Sequence, residues 1–229
     1  MKKIAGQNVV IVGATGLVGS ALLEILLEDS EIKEVLSLVR KGTNLDHPKL
    51  NEKVIDFDRI HEYIEDIKGN AVFCCLGTTI KKAKSKENFK RVDYLYPLEI
   101  AKAARENLVP QFNIITAIGA DPKSVFFYNK VKGEIEEALK FLHFDSLNIF
   151  RPSLLIGERN ENRLGEKVGV NLSKIINPIM VGNLKKYRGI EAEDVARAMA
   201  QVYHTSIKGL NIFLSDEIYD IAHEKIPGK

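Results

Sequence analysis

Short apolar runs recur along the first 152 residues and are separated by segments of helical periodicity. The runs are rich in Val, Ile and Phe and do not alternate strictly with polar residues, so each predicts a strand that is buried on both faces. Helices are predicted for "LVGSALLEILLED", which follows the first run, and for "FFYNKVKGEIEE" (126–137). The predicted strands are 8–13, 34–40, 53–58, 70–77, 111–119 and 146–152, and a long helical stretch with a bend at Pro97 spans 85–108.

Strands that alternate with helices predict right-handed βαβ crossovers and a parallel sheet. Six such strands predict an α/β fold with a doubly wound parallel sheet in the order 3-2-1-4-5-6. After residue 152 the pattern is less regular, and "GLNIFLS" is a candidate for a further strand. We therefore expect one domain over residues 1–229, in which 152–190 and 206–229 form a small substrate-side lobe above the carboxyl edge of the sheet.

The composition indicates how many domains, which partners and which metal or thiol chemistry to expect. The chain has 229 residues, 45% of them apolar, and a formal net charge of +2, which suits one domain and gives no reason to expect a nucleic-acid or membrane partner. The two cysteines, Cys74 and Cys75, are adjacent in a predicted strand and point to opposite faces, which favours reduced thiols in a cytoplasmic protein. The five histidines lack metal-ligand spacing, so we expect no metal.

A glycine-rich turn joins the first predicted strand to the first predicted helix. "VGATGLVGS" places Gly13, Gly16 and Gly19 where a backbone can approach a pyrophosphate closely and where the helix can pack on the strand. The amino terminus of the helix would offer free N–H groups to the phosphates. The spacing GxxGxxG differs from the usual GxGxxG, and a turn that serves only helix packing is the alternative. The predicted phosphate-binding residues are Gly13, Thr15, Gly16, Leu17, Val18 and Gly19.

Basic residues follow the second predicted strand. Arg40 stands where an NAD site would carry an acidic residue for the ribose 2′-hydroxyl, and Lys41 comes next. A guanidinium suits a phosphate dianion through paired hydrogen bonds. The sequence therefore predicts that NADP(H) is preferred over NAD(H), and an ordinary surface arginine is the alternative.

The ends of the other predicted strands supply further cofactor contacts. Asp56 would accept from the adenine amino group with Phe57 beside the ring, or else Asp56 is a turn residue. Strands four and six end near the middle and the nicotinamide end of the crevice, where a connecting loop is the alternative to a binding role. The residues predicted there are Leu76, Gly77, Thr78, Arg151, Pro152, Ser153 and Leu154.

Tyr128 and Lys132 lie four residues apart and therefore on one face of the helix that follows the fifth strand. An ammonium beside a phenol stabilises its phenolate form, so Tyr128 could exchange the proton of a substrate carbonyl or alcohol while a hydride moves at the nicotinamide. Lys132 could also bind the ribose hydroxyls. Thr116, at the end of strand five, is the candidate to hold the substrate oxygen, with Ser124 in reserve. The alternative is an ordinary helix surface.

These motifs resemble the short-chain dehydrogenase/reductase superfamily, and more closely its atypical branch of Tat-interactive-protein-like oxidoreductases and their bacterial relatives. The resemblance is carried by "GATGLVG", "SLVRK", "FCCLGTT", "GADPKSVFFYNKVKGEIE" and "FRPSLLIGER". It implies a Rossmann fold, NADP(H) as the cofactor, and Tyr128 with Lys132 as the catalytic pair. Those relatives usually carry serine at the position of Thr116.

We expect an NADP(H)-dependent oxidoreductase that acts on a small-molecule carbonyl or alcohol. A non-catalytic NADP(H)-binding redox sensor is the main alternative, and a nucleotide-sugar epimerase or dehydratase is a third. We expect a monomer or a homodimer, and the resemblance implies that a dimer would use the helices at 85–108 and 124–142.

Overall fold

The computed structural model describes residues 6–157, 182–205 and 207–224. Its main sheet has seven strands, all paired in parallel, in the order β3-β2-β1-β4-β5-β6-β9. The predicted order of the first six strands is confirmed. The strands of this sheet are β1 (Gln7–Val12), β2 (Ile32–Val39), β3 (Leu50–Val54), β4 (Ala71–Cys74), β5 (Gln111–Ile115), β6 (Ser146–Arg151) and β9 (Gly209–Leu214), and β7 (Leu155–Ile156) pairs separately with β8 (Ile190–Glu191).

Helices cover both faces of the sheet. One buried cluster joins α1, α6 and α7 to the sheet through residues such as Leu22, Phe73 and Met199. The other joins α4, α5 and a 3₁₀ segment to the opposite face through residues such as Ile100 and Leu139. The fold is therefore doubly wound. In the described ranges the α-helices are α1 (Leu17–Glu28), α2 (Ile80–Ala83), α3 (Lys86–Lys90), α4 (Tyr96–Glu106), α5 (Phe127–Lys140), α6 (Ala192–His204) and α7 (Ser215–His223). The 3₁₀ segment of the second cluster is Phe57–Asp66, and a further 3₁₀ helix spans Gly182–Tyr187.

The segment 206–229 was predicted to lie in the lobe, but its strand β9 extends the main sheet. β9 pairs with β6 in parallel over its whole length, and the N–H of Gly209 donates to the carbonyl of Asp145 at 2.7 Å. Without β9, the outer edge of β6 would present unpaired backbone groups. Most of the other predicted lobe segment, 152–190, lies outside the described residues.

Near Pro97, where a bend was predicted, a π-helical turn, Arg91–Leu95, joins α3 to α4. Proline has no N–H to donate to the carbonyl four residues earlier, and its ring clashes with that carbonyl. The residue four positions before Pro97 is Asp93, at the centre of the turn. A π-helical turn is a frequent feature of functional sites, and this one carries a carboxylate that is only 1% exposed.

An asparagine ladder, formed by Asn113, Asn148 and Asn211, crosses β5, β6 and β9 at aligned positions of the sheet. The Asn148 amide nitrogen donates to Asn113 Oδ1 at 2.9 Å, and the Asn211 amide nitrogen donates to Asn148 Oδ1 at 3.0 Å. Because a slip of one residue would move every side chain to the other face, this ladder favours one register of the three strands.

In the ranges that the structure describes, none of the helices combines the length and the apolar composition needed to cross a membrane.

Candidate active site

The parallel strands bring the predicted site residues to one edge of the sheet, where the carboxyl ends of the strands meet. The glycine turn lies against the chain that leaves β4. Gly13 has φ +84°, and a Cβ at this residue would lie 2.6 Å from the backbone of Cys75. A Cβ at Gly19 would lie 2.1 Å from the carbonyl oxygen of Gly13. Neither position accepts a side chain, so both glycines are needed for this close packing.

The amino terminus of α1 faces the same edge and has no side-chain cap and no acidic residue in its first turn. Gly16 occupies the N-cap position and donates its own N–H to the carbonyl of Gly13 at 3.0 Å. The first-turn N–H groups of a helix have no intrahelical partner and suit an anion. Thr15 is exposed, whereas the side chain of Val18 is buried, so Val18 could bind a phosphate only through its backbone.

Arg40 and Lys41 directly follow β2 and are both exposed. Asp56 caps the 3₁₀ segment by accepting the N–H of Asp58 at 2.9 Å, which leaves its second oxygen for another donor. Phe57, by contrast, is buried, and its ring packs against Tyr96 at a centroid distance of 5.6 Å. Its ring is part of the core and is not free to lie beside an adenine, so only its backbone could contribute there.

Tyr128 and Lys132 lie on successive turns of α5. Tyr128 is half-buried, and its ring packs on Phe89 at a centroid distance of 5.6 Å. Lys132 is 5% exposed, and its Nζ lies 2.7 Å from Oδ1 of Asp93. The other oxygen of Asp93 accepts the N–H of Thr78 at 3.0 Å. The structure thus brings the lysine of α5 together with the predicted cofactor segment after β4.

The electrostatic surroundings hold Lys132 in its charged form. Burial opposes the charge most strongly, but the attraction of Asp93 and then of Tyr128 outweighs it and raises the pKa of the ammonium above its usual value. Gly77 lies close by, because a Cβ built on it would be 3.9 Å from the Lys132 Nζ. The absence of a side chain at Gly77 therefore leaves space next to the ammonium.

A second ion pair, in which the carboxylate is buried and the guanidinium is partly exposed, lies one turn further along α5. Glu136 is 1% exposed and accepts from Arg151 Nε at 3.0 Å, and Arg151 Nη2 also donates to it. The hydroxyl of Thr116 donates to the same carboxylate at 2.6 Å. Thr116 and Arg151 are therefore engaged inside the protein. Thr116 can donate to a substrate oxygen only after this hydrogen bond breaks, and the guanidinium of Arg151 is held by Glu136.

The residues after β6 connect neighbouring segments. The carbonyl of Pro152 accepts the N–H of Ile118 at 3.0 Å, and the N–H of Ser153 donates to Ser215 Oγ at 2.7 Å. The carbonyl of Leu154 accepts from Ile190 at 2.9 Å, and its side chain is exposed. The N–H of Ser153 and one lone pair of the Leu154 carbonyl are therefore engaged within the protein and are not available to a nicotinamide.

Two buried carboxylates at this edge, Asp93 and Glu136, were not predicted as site residues from the sequence, although each leaves a signal there. Pro97 lies four residues after Asp93, and because proline has no N–H it interrupts the regular α-helical hydrogen bonding at Asp93. Glu136 continues the four-residue spacing of Tyr128 and Lys132, which places the three side chains on one side of α5. A carboxylate on the side of a helix that faces a sheet is buried, so it needs a cation or a hydrogen-bond donor as its partner. That requirement could have identified Glu136 from the sequence.

Both cysteines are free thiols. Burial raises the pKa of Cys74 to about 12 and raises that of Cys75 well above its usual value, so both stay protonated at neutral pH. Among the residues that the structure describes, no group of three or more His, Cys, Asp or Glu side chains is arranged to hold a metal ion.

The sheet order and the glycine turn at the amino terminus of α1 define a Rossmann-type dinucleotide-binding fold. Residues 9–123 match the NAD dependent epimerase/dehydratase family. Protein HTATIP2 of Rattus norvegicus is 38% identical over 168 residues, which cover 72% of this chain and 69% of that protein. Protein FMP52, mitochondrial, of Candida albicans is 33% identical over 214 residues, which cover 91% of each. The chain belongs to the NAD dependent epimerase/dehydratase family and, within it, to the group that contains HTATIP2 and FMP52, as the resemblance implied.

Solved structures share the fold at low sequence identity. The Bordetella bronchiseptica enzyme WbmH in complex with NAD⁺ has a TM-score of 0.68 at 20% identity, over 92% of this chain and 76% of that chain. The oxidoreductase ylbE of Lactococcus lactis has a TM-score of 0.64 at 17% identity, over 93% and 95% of the two chains. A UDP-glucose 4-epimerase of Thermotoga maritima has a TM-score of 0.67 at 14% identity, over 94% and 81%.

Proposed function

We propose that this protein is an NADP(H)-dependent oxidoreductase that transfers a hydride to a small-molecule carbonyl or from the corresponding alcohol, with Tyr128 as the acid/base group. The observation that carries the proposal is the buried, charged Lys132 one helical turn from Tyr128, at the edge of the sheet where the glycine turn lies. A lysine is rarely buried without a specific reason, and a catalytic phenol supplies one.

The residues present fit a dinucleotide. The uncapped first turn of α1 suits the pyrophosphate, and the free oxygen of Asp56 suits the adenine amino group. Arg40 suits a 2′-phosphate, and the segment from Leu76 to Thr78 lies beside Lys132. When bound, the nicotinamide would supply or accept the hydride.

In the direction of reduction, the Tyr128 hydroxyl gives its proton to the carbonyl oxygen of the substrate, and in oxidation the phenolate accepts that proton from the alcohol. The ammonium of Lys132 stabilises the phenolate that remains. The ammonium carries three N–H donors and its Nζ lies 2.7 Å from one oxygen of Asp93, so donors remain for the ribose hydroxyls. Solvent then restores the proton of Tyr128.

Replacing Tyr128 by phenylalanine tests this assignment. The variant keeps the ring that packs on Phe89 but lacks the acid, so we expect turnover of NADPH with a panel of aldehydes, ketones and quinones to fall by about 10²- to 10⁴-fold. NADPH affinity, measured by fluorescence titration, should stay within about threefold. A variant with wild-type turnover would show that Tyr128 is not the acid.

Two other functions predict no NADPH turnover with this panel, and an added nucleotide-sugar substrate separates them. A redox sensor, which the engagement of Thr116 with Glu136 favours, would bind NADPH tightly and turn over no substrate of the panel. A nucleotide-sugar epimerase, which the family match at residues 9–123 favours, would interconvert a nucleotide sugar without a net change in NADPH or NADH.

The preference for NADP(H) depends on Arg40. Charge-assisted hydrogen bonds contribute about 1.5–3 kcal/mol, so Arg40→Asp should weaken NADPH binding by about 10- to 100-fold and leave NADH binding nearly unchanged. The matched control is Lys33→Asp, which makes the same change of charge at the opposite end of β2. If Arg40→Asp binds NADPH as tightly as the control does, the preference is set elsewhere.

A further inference from the structure

Apolar side chains are exposed directly before the candidate active-site helix, and lysines surround them. Val125 is 93% exposed and Phe126 is 70% exposed, and both come just before Tyr128 in the chain. Exposed lysines lie in the same loop, in the first turns of α5 and in the segment of α2 and α3: Lys81, Lys84, Lys86, Lys123 and Lys130. We propose that this basic apolar patch, Val125 and Phe126 with these five lysines, docks the protein on the surface of an anionic lipid bilayer.

Folding alone does not account for the two apolar residues. Phe126 occupies the N-cap position of α5 and makes no capping hydrogen bond with its side chain, whereas Ser, Thr, Asp and Asn are the residues that stabilise a helix there. Val125 precedes the cap, where an apolar side chain usually packs on the fourth residue of the helix. That residue is Lys130, which is exposed. Two adjacent, exposed apolar residues at such a position indicate a contact with something outside the chain.

The lysine-rich segment of α2 and α3 packs against the start of α5. The Nζ of Lys86 lies 5.3 Å from the centroid of the Phe127 ring, and the ring of Phe89 packs on the same ring at 5.6 Å. The side-chain amide of Asn88 donates to the carbonyl of Ala83 at 3.1 Å, which ties α3 to α2. These contacts bring the lysines of this segment to the side of the molecule that carries Phe126.

The charges of the patch fit an anionic surface. The exposed acids in the same segments are Glu87 and Asp121, so the five lysines outnumber them. The net charge of +2 for the whole chain averages over this local excess, which is why it gave no reason to expect a membrane partner. Lysines attract anionic headgroups, and apolar side chains leave water for the boundary of the acyl chains. A purely electrostatic partner would use the lysines and leave Val125 and Phe126 in water.

The patch borders the candidate active site on two sides. Thr78, which faces that site, lies two residues before α2, and Tyr128 lies two residues after Phe126. Docking through the patch would therefore turn this edge of the sheet towards the bilayer. The inference does not depend on the proposed function, because vesicle binding is measured without turnover.

The first test places a fluorophore in the patch. The chain has no tryptophan, so Phe126→Trp supplies a single one and keeps an apolar ring at the site. We expect its emission to shift to shorter wavelength when vesicles of equal parts phosphatidylcholine and phosphatidylglycerol are added, because the indole leaves water. Phe141→Trp is the matched control, since Phe141 is 75% exposed at the other end of α5 and should show no shift.

The second test measures affinity by co-sedimentation with the same vesicles. Phe126→Ser should weaken binding by about 10-fold, and serine is a favourable N-cap residue, so this variant should fold. The double change Lys81→Gln with Lys84→Gln should weaken binding by about 10- to 30-fold, and added salt should weaken the wild type. The controls are Phe141→Ser and the double change Lys33→Gln with Lys68→Gln, two exposed lysines near the amino ends of β2 and β4. Both controls should bind as the wild type does.

Three results would overturn the inference. The first is an emission of Phe126→Trp that the vesicles do not change, which would mean that the residue does not enter lipid. The second is salt-sensitive binding that Phe126→Ser leaves unchanged, which would assign the lysines to an electrostatic contact such as an acidic protein or a nucleic acid. The third is an equal loss of binding in the control variants. Turnover of NADPH in a protein that does not bind vesicles would overturn this inference and leave the proposed function intact.

Discussion

Two buried polar groups lie in the same sheet-and-helix core but differ in charge. The asparagine ladder of β5, β6 and β9 consists of neutral amides that satisfy one another across three strands. At the carboxyl edge, α5 carries Lys132 and Glu136, which are paired with Asp93 and Arg151. The ladder lies within the strands, whereas the ion pairs lie where the strands end and a ligand could reach them.

We interpret the asparagine ladder as structural and the ion pairs of α5 as part of the chemistry. Neutral amides that are fully hydrogen-bonded can fix strand register at a small cost in desolvation. Buried ion pairs rarely improve stability over apolar residues of the same size, so their presence calls for another reason. At this edge the reason we infer is the chemistry of Tyr128, and the following variants test whether the two regions differ in this way.

The largest effect on stability is expected from Glu136→Ala. It leaves Arg151 without its carboxylate and Thr116 without its acceptor, so unfolding should become easier by about 3 kcal/mol, as measured by urea denaturation. Glu137→Ala is the control, because its ion pair with Lys140 at 2.6 Å is partly exposed and should contribute at most about 1 kcal/mol. Equal losses in the two variants would show that the Glu136 pair contributes no more than a surface pair.

A smaller effect is expected from Asn148→Ala in the ladder. Asn148 is fully buried and bonds to Asn113, Asn211 and Ser146, so its removal should cost about 2 kcal/mol through the partners left unsatisfied. Asn51→Ala is the control, because its amide makes an exposed hydrogen bond to Glu34. The activity of the folded Asn148→Ala protein should match that of the wild type, and a large loss of kcat would remove the distinction between the two regions.

The sequence was sufficient to predict the order of the six strands and the position of the glycine turn, because both depend on local pattern and spacing. It also predicted a bend at Pro97, and the structure has a π-helical turn that ends two residues before this proline. It did not predict the partners of the buried charges. The contact of Asp93 with Lys132 joins segments 39 residues apart in the chain, and only the packing of α5 on the π-helical turn brings them together. For the same reason β9 was assigned to the lobe, since its partner β6 lies far from it in sequence.

The smallest effect is expected from Thr116→Val, which tests the end of β5, where the two regions approach each other. Its hydroxyl donates to Glu136, which keeps Arg151 as a partner, so the loss of stability should be about 1 kcal/mol. If the hydroxyl keeps this role during the reaction, kcat of Thr116→Val should stay within about threefold of the wild type, and Thr116→Ser should restore the stability. A loss of about 100-fold in kcat, restored by Thr116→Ser, would instead mean that the hydroxyl leaves Glu136 and donates to the substrate oxygen. In that event the Thr116 hydroxyl would be catalytic, and Glu136 would be its alternative acceptor. The ion pair of Glu136 with Arg151 would then take part in the reaction, in addition to that of Lys132 with Asp93.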